Sequence, residues 1–272
     1  MKATVLGAGG FVGRHLARHL EGRGFEVTRW VRGQSLPAEL GVAFYAVGLT
    51  KDFGERPAAT VEAHAGLLSR VLHRHGWDDF VYLSSTRLYD GSALGREDEA
   101  IPVRVARPRH LFDTSKLLGE SCTLAAGGRV ARLANVYSDQ LDADAFIHHA
   151  VCAALKGTAE PICQHLDAAR DYVHVEDVCR ALLALVVGAA PSIVNLACGR
   201  NWSNAALFEL LAHYTGHRLR AETARGAPPA PRVEIDRLEA LGVVLRPLDT
   251  ALPELLCGAG WGGVLPQQRK VA

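Results

Sequence analysis

The sequence predicts an α/β fold: a doubly wound parallel sheet with helices on both faces. Three observations predict it. Short apolar runs alternate with helix-like patterns through the first half of the chain. The first of these runs leads directly into a glycine cluster, and a helical pattern follows. The chain has 272 residues, 49% of them apolar, which is enough for one large domain with a substantial core.

The elements follow in order. Residues 3–6 read as a strand, 12–22 as a helix and 25–31 as a second strand. Residues 42–47 form a third strand, and a helix runs from about 60 to 75. Residues 80–84 are a fourth strand, 113–125 a helix and 129–133 a fifth strand. Strands separated by helices require right-handed crossovers and so a parallel sheet. The second connection differs: residues 34–40 contain Pro37 and hold at most one helical turn. The second half is less regular. Residues 145–156 read as a helix ending at Gly157, 172–175 as a short strand, and 177–187 as a helix capped by an acidic residue. Residues 193–196 form a strand, and Ser203 is placed to cap a helix over 204–215. Residues 224–232, rich in Pro and Ala, read as a loop.

Composition excludes several classes. A formal net charge of +1 provides no field to attract nucleic acid or an anionic membrane. The apolar run over 181–190 is too short to span a bilayer. The strand pattern starts at once, so no targeting segment is expected. The six cysteines form no Cys-x-x-Cys pair and read as reduced thiols of a cytoplasmic protein. No metal site is expected: His73 and His75 do not share a helix face, His148 and His149 diverge, and no zinc spacing occurs. The four tryptophans are scattered and suit packing, and no Gly-x-Ser-x-Gly elbow suggests a hydrolase.

The segment Gly7-Ala8-Gly9-Gly10-Phe11-Val12-Gly13 follows the first strand and opens the first helix. That context makes it a dinucleotide-binding loop of Rossmann type. Gly7 permits the tight turn, Gly10 lets the backbone approach a pyrophosphate, and Gly13 lets the helix sit close to the sheet. The amides of Phe11, Val12 and Gly13 and the positive end of the helix dipole suit phosphate. At the end of the second strand stands Arg29-Trp30-Val31-Arg32, with no acid to take a ribose hydroxyl. Arg32 therefore tilts the expected cofactor toward NADP over NAD.

Four further segments, with the glycine loop, carry a family resemblance. They are Val81-Tyr82-Leu83-Ser84-Ser85-Thr86, Phe112-Asp113-Thr114-Ser115-Lys116, Arg132-Leu133-Ala134-Asn135-Val136-Tyr137 and Arg170-Asp171-Tyr172-Val173-His174. Together they make the chain resemble the extended short-chain dehydrogenase/reductase family, in its sugar-nucleotide epimerase and dehydratase subgroup. The resemblance implies one unit over 1–272. Residues 1–137 mainly bind cofactor and 138–272 mainly bind substrate, with elements of the second part returning to the sheet. It implies a nucleotide-sugar substrate, with a homodimer as a candidate assembly. It also implies Ser85 as the hydroxyl that polarises the reacting oxygen, Lys116 on the nicotinamide ribose, Thr86 beside the sugar, and Asn135 and Arg170 on the substrate diphosphate.

The resemblance breaks at Phe112. The family carries Tyr there, and its phenol exchanges the substrate's hydroxyl proton as hydride moves to or from the nicotinamide. Phe112 has no proton to exchange. Another group, among Tyr89, Tyr45, His110 and Thr86, could supply it. Alternatively, redox chemistry has been lost with binding kept, or Phe112 is an engineered replacement. Thr86 and Arg87 stand where dehydratases carry Asp-Glu, which argues against elimination of water. His64 stands where the family has a supporting Asn, either tuning a proton relay or simply packed. Two functions follow as expectations: a nicotinamide-dependent epimerase or reductase, and a non-catalytic cofactor-binding sensor or scaffold.

Overall fold

The computed structural model describes residues 1–103 and 110–262. β1 (Lys2–Leu6) is buried from Ala3 to Leu6, as a central parallel strand requires. α1 (Phe11–Gly22) buries Gly13, Leu16, Ala17 and Leu20, the stripe of a helix lying on a sheet. β2 (Glu26–Trp30) exposes Glu26, Thr28 and Arg29, whereas β3 (Val42–Tyr45) is buried throughout. Next come α2 (Pro57–Val61), a π turn over Glu62–Gly66, and α3 (Leu67–Arg74). These replace the single helix expected over 60–75. The wider turn presents the Ala63 and His64 carbonyls to the hydroxyls of Tyr45 and Tyr82, which donate to them at 2.8 and 3.1 Å.

β4 (Asp79–Ser85) runs into a 3₁₀ turn over Thr86–Tyr89 and then the short β5 (Leu94–Gly95). α4 (His110–Ala125) leads to β6 (Arg129–Leu133) and β7 (Asn135–Tyr137). α5 (Phe146–Lys156) stops at Gly157, which is left-handed at φ 65°. β8 (Pro161–His165) and β9 (Ala169–His174) precede α6 (Val175–Val187) and β10 (Ile193–Leu196). α6 starts before residue 177 and is capped by His174, not by an acid: His174 Nδ1 accepts the Glu176 N–H at 3.2 Å. After β11 (Asn201–Ser203), Ser203 caps α7 (Asn204–Thr215) as expected, accepting the Ala206 N–H at 3.1 Å. β12 (Arg220–Thr223), β13 (Arg232–Val233), α8 (Asp236–Ala240) and α9 (Leu248–Gly258) complete the described chain.

The central sheet has six strands in the order β10-β6-β4-β3-β1-β2, every neighbouring pair parallel. Alternate strand residues face opposite layers. Val5, Phe44 and Val81 pack with α1 and α6, while Leu6, Tyr45 and Tyr82 pack with α3. Joined by residues 31–41, which form no helix, β2 and β3 flank β1 on opposite sides. The crevice at the carboxyl ends of β1 and β3 is therefore a topological switch point, where ligands of such sheets bind. A second core joins α5, α7 and α9 to Tyr137 and Tyr172, beside a three-stranded sheet in the order β11-β9-β7. The six cysteines are free thiols.

Candidate active site

The glycine loop is built by close approach. Gly7, at φ +88°, and Ala8 both donate N–H bonds to the Trp30 carbonyl, at 3.0 and 3.1 Å. A Cβ on Gly7 would stand 2.9 Å from the Ala46 carbonyl, and one on Gly13 only 2.2 Å from the Gly7 oxygen. Gly10 differs, since a Cβ there would meet only the Gly7 oxygen, at 3.3 Å. Its smallness leaves room on the exposed side rather than inside. Gly10 is the N-cap of α1, which has no side-chain cap and no acid in its first turn. Uncapped amides with a positive dipole end fit a pyrophosphate. Val31 adjoins this loop: a Cβ on Gly9 would lie 3.3 Å from its Cγ1. Arg32 follows, exposed, beyond the end of β2.

At the carboxyl end of β4, Ser85 Oγ accepts the Arg87 N–H at 3.2 Å. Thr86 Oγ1 reaches the Leu133 carbonyl at 3.4 Å. Lys116, buried on α4, donates from Nζ to the Leu83 carbonyl at 2.8 Å and stands 4.8 Å from the Tyr82 ring. Burial lowers its pKa to about 8, against the opposing charge of Glu120. Phe112 is 2% exposed, its ring 5.4 Å from Phe53 and edge-on to His64 at 5.1 Å.

His64 is fully committed. Its Nε2 accepts the Leu49 N–H at 3.2 Å, and Nδ1 lies 2.8 Å from Ser115 Oγ. That hydroxyl donates to the Phe112 carbonyl at 3.0 Å, which assigns the imidazole proton to Nδ1. Burial, with the Lys116 charge, pushes the His64 pKa down to about 3. His64 is thus a neutral packing group tying the β3–α2 loop to α4, the second of its two expected roles.

A cavity of about 530 Å³ opens beside the end of β4. Thr86, His110, Asp113, Asn135, Arg170 and Asp171 line it, as does the proline-rich 227–231 loop. Asn135 Nδ2 donates to the Asp171 carbonyl at 2.9 Å, and Arg170 Nη1 to Asn204 Oδ1 at 2.9 Å. The Arg170 guanidinium also lies 4.5 Å from the Phe146 ring. Asp171 accepts the Cys198 and Arg200 amides at 2.8 and 3.1 Å, but burial outweighs these bonds and raises its pKa to about 6. Thr86, Asn135 and Arg170 therefore share one wall. Ser85, Phe112 and Lys116 are not on that wall; Ser85 and Phe112 are the chain neighbours of Thr86 and Asp113, which are, and Lys116 turns to the Leu83 carbonyl of β4. Gly7, Gly10, Phe11, Val12 and Gly13 lie together at the end of β1, away from that wall, with Arg32 beyond the end of β2.

Two candidate phenols are spoken for. Tyr45 gives its proton to Ala63, and burial drives its pKa up. Tyr89 donates to Asn195 Oδ1 at 2.8 Å and accepts from Arg132 at 2.7 Å; burial pushes it up to about 12. Arg132 is itself locked in a buried ion pair with Glu120 at 2.7 Å. His110 and Thr86 reach the cavity. Asp113 and Asp171 were not singled out from sequence. The signal available for Asp113 was its place directly after Phe112, and for Asp171 its place beside Arg170. Among the described residues, no group of three or more His, Cys, Asp or Glu could hold a metal ion, and no helix is long and apolar enough to cross a membrane.

A glycine loop of dinucleotide type after β1, with a polar-lined cavity at the carboxyl end of β4 in the same parallel sheet, is the arrangement of a dinucleotide-binding α/β fold. The model of the NAD dependent epimerase/dehydratase family matches residues 3–53 and 37–197, and the chain belongs to that family. No curated protein gives a significant sequence match. Among solved structures, MoeE5 in complex with UDP-glucuronic acid and NAD is similar at 23% identity and TM-score 0.80, covering 96% of this chain and 99% of that one. A Tyr-to-Phe mutant of the UDP-glucuronic acid 4-epimerase from Bacillus cereus, in complex with UDP-4-deoxy-4-fluoro-glucuronic acid and NAD, is 17% identical at TM-score 0.80, with the same coverage. RMD from Pseudomonas aeruginosa, complexed with NADPH, is 23% identical at TM-score 0.73, covering 94% of this chain and 98% of that one. At these identities the likeness is one of fold.

Proposed function

We propose that the protein is a nicotinamide-dependent epimerase or reductase acting on a nucleotide-linked sugar at a sugar carbon. The observation that carries this reading is the convergence of Thr86, Asn135 and Arg170 on one cavity at the end of β4. The bound nicotinamide would accept or return hydride. Ser85 would donate a hydrogen bond to the reacting sugar oxygen, and Thr86 would orient the ring. Lys116, held by the Leu83 carbonyl, would present its ammonium to the nicotinamide ribose. Asn135 and Arg170 would hold the diphosphate, the guanidinium braced by Asn204 and Phe146. Gly10 and the α1 amides would hold the cofactor pyrophosphate. NADP is slightly favoured over NAD, on Arg32 and the lack of an acid at the end of β2.

Two of the structures above, MoeE5 and the UDP-glucuronic acid 4-epimerase, hold UDP-sugars, and MoeE5 is also known with UDP-glucose, so UDP-glucose and UDP-glucuronic acid are the first substrates to try. The test is calorimetric binding of each cofactor and sugar, followed by nicotinamide absorbance after mixing. Binding of both ligands with hydride transfer supports an enzyme. The sequence resemblance supports the second reading, a binding protein that senses or scaffolds, because it matches Phe112 to the family's proton-exchanging phenol. Tight binding of both ligands without transfer would select that reading. A homodimer remains the proposed assembly. It is supported by exposed apolar side chains on the adjoining helices α2 and α4, Val61 at 39% and Leu118 at 50%.

A further inference from the structure

We infer that His110, oriented by Asp113, is the proton-exchanging group of this site and does the work of the phenol that Phe112 lacks. The inference rests on the reading of the cavity as a sugar site. His110 and Asp113 share the cavity wall with Thr86, Asn135 and Arg170. They are three residues apart on α4 and so lie on one face. Nδ1 of His110 stands 3.8 Å from Asp113 Oδ2, within ion-pair range. Their side chains are only 12% and 11% exposed, so bulk water does not screen the pair fully.

The other titratable groups nearby are placed for different tasks. Tyr45 and Tyr89 spend their hydroxyl protons on buried acceptors. His64 has both ring nitrogens engaged inside the fold. The Thr86 hydroxyl does not titrate in the working range. Among the described residues, the charged groups sharing the cavity with His110 are Arg87 and Asp90 from the turn after β4, Asp113 from α4, and Arg170 and Asp171 from β9.

The step balances. His110 Nε2 takes the proton of the sugar hydroxyl, the O–H electron pair closes the C=O bond, and the carbon's hydrogen leaves as hydride to the oxidised nicotinamide. In the return direction Nε2 gives the proton back. Asp113 stabilises the imidazolium formed between these events, as a carboxylate beside a catalytic imidazole does.

The experiment compares the parent chain with His110→Gln, Phe112→Tyr and the double variant. Single-turnover hydride transfer is followed from pH 5 to 9, and cofactor and UDP-glucose binding are measured separately. His110→Gln is expected to slow transfer by about 10²–10⁴-fold, the usual range for an acid/base group, with binding of both ligands kept. The acidic limb of the kcat/KM profile should vanish with it. Phe112→Tyr should restore transfer in the double variant. A readout independent of turnover accompanies these: UDP-glucose should shield His110 from diethyl pyrocarbonate, as mapped by peptide mass spectrometry. The inference is overturned if His110→Gln transfers hydride within about threefold of the parent, if its acidic limb persists, or if bound UDP-glucose leaves His110 unshielded. It is also overturned if only the Phe112→Tyr chain transfers hydride, although the sugar-nucleotide reading then stands. No transfer by any variant, with both ligands bound, would remove that reading as well.

Discussion

Arg32 and His64 are basic side chains in opposite surroundings, one exposed and one buried. Arg32 is exposed past the edge strand, and its proposed role is to contact a ligand phosphate. Its replacement by Ala should weaken NADP more than NAD, because a guanidinium–phosphate contact is lost only for the former. Equal losses by titration calorimetry would contradict its assigned role. Gly10 offers a second test at this scale. Gly10→Leu should abolish cofactor binding while the fold persists, since little inside the protein occupies that direction. Unchanged affinity would move the pyrophosphate elsewhere. His64 is the opposite case, a buried neutral imidazole. Its folded pKa of about 3 lies below the ordinary 6.5, so the unfolded chain takes up the proton first. Its stabilising effect is complete above pH 6.5 and is lost as pH falls toward 3, at up to ~1.4 kcal/mol per pH unit. Asp171 acts in the other sense, since its raised pKa makes protonation favour the fold between about 6 and 3.8. The prediction is therefore a difference. In urea melts between pH 6.5 and 3, His64→Asn should lose stability less steeply than the parent. Parallel curves would contradict the neutral assignment. The role of Gly7 and Gly13 was legible in sequence because spacing alone demands small residues at a strand–helix turn. The state of His64 was not, since it depends on Leu49 and Ser115, which are distant in sequence or on another element.

Helix α4 and the π turn carry most of the local design. Within two turns of α4, Phe112 faces the Phe53 ring, Asp113 the cavity, Ser115 the His64 ring and Lys116 the β4 carbonyl of Leu83. Gly119 lets this helix approach the π turn: a Cβ there would lie 2.5 Å from the His64 carbonyl and the Tyr82 hydroxyl. Gly119→Ala should therefore destabilise by roughly 1–3 kcal/mol, as overpacking of a tight contact does. A chemical-denaturation midpoint unchanged from the parent would contradict this packing. The helical periodicity of α4 was readable, and so was its Phe-x-x-x-Lys spacing. The π turn was not, because the hydroxyls that meet its carbonyls come from Tyr45 and Tyr82 on neighbouring strands. α9 escaped the sequence reading for a local reason: Pro253 sits inside it and interrupts the helical signal. α6 was read too short because His174, an uncommon cap, takes the place an acid was expected to fill.

Across the whole molecule, the parallel sheet sets where chemistry can occur. β1 ends at the glycine loop, β4 ends at Ser85 and Thr86, and β9 delivers Arg170 from the smaller sheet. The crossing of β2 and β3 on either side of β1 opens the crevice between these ends. The alternation of strands and helices made this architecture legible from the start. The cavity was legible only in part: Asn135 and Arg170 came from motif resemblance, whereas Asp113, Asp171 and the proline-rich wall are brought together by tertiary packing. The central claim is that this crevice moves hydride between a nucleotide-linked sugar and a nicotinamide cofactor. The most direct measurement is stopped-flow nicotinamide absorbance in the parent chain and Phe112→Tyr, mixed with UDP-glucose or UDP-glucuronic acid and either oxidised cofactor. The account predicts formation of reduced nicotinamide in the parent chain with at least one sugar, and faster formation in Phe112→Tyr. No absorbance change in either chain, with both ligands shown to be bound, would contradict it.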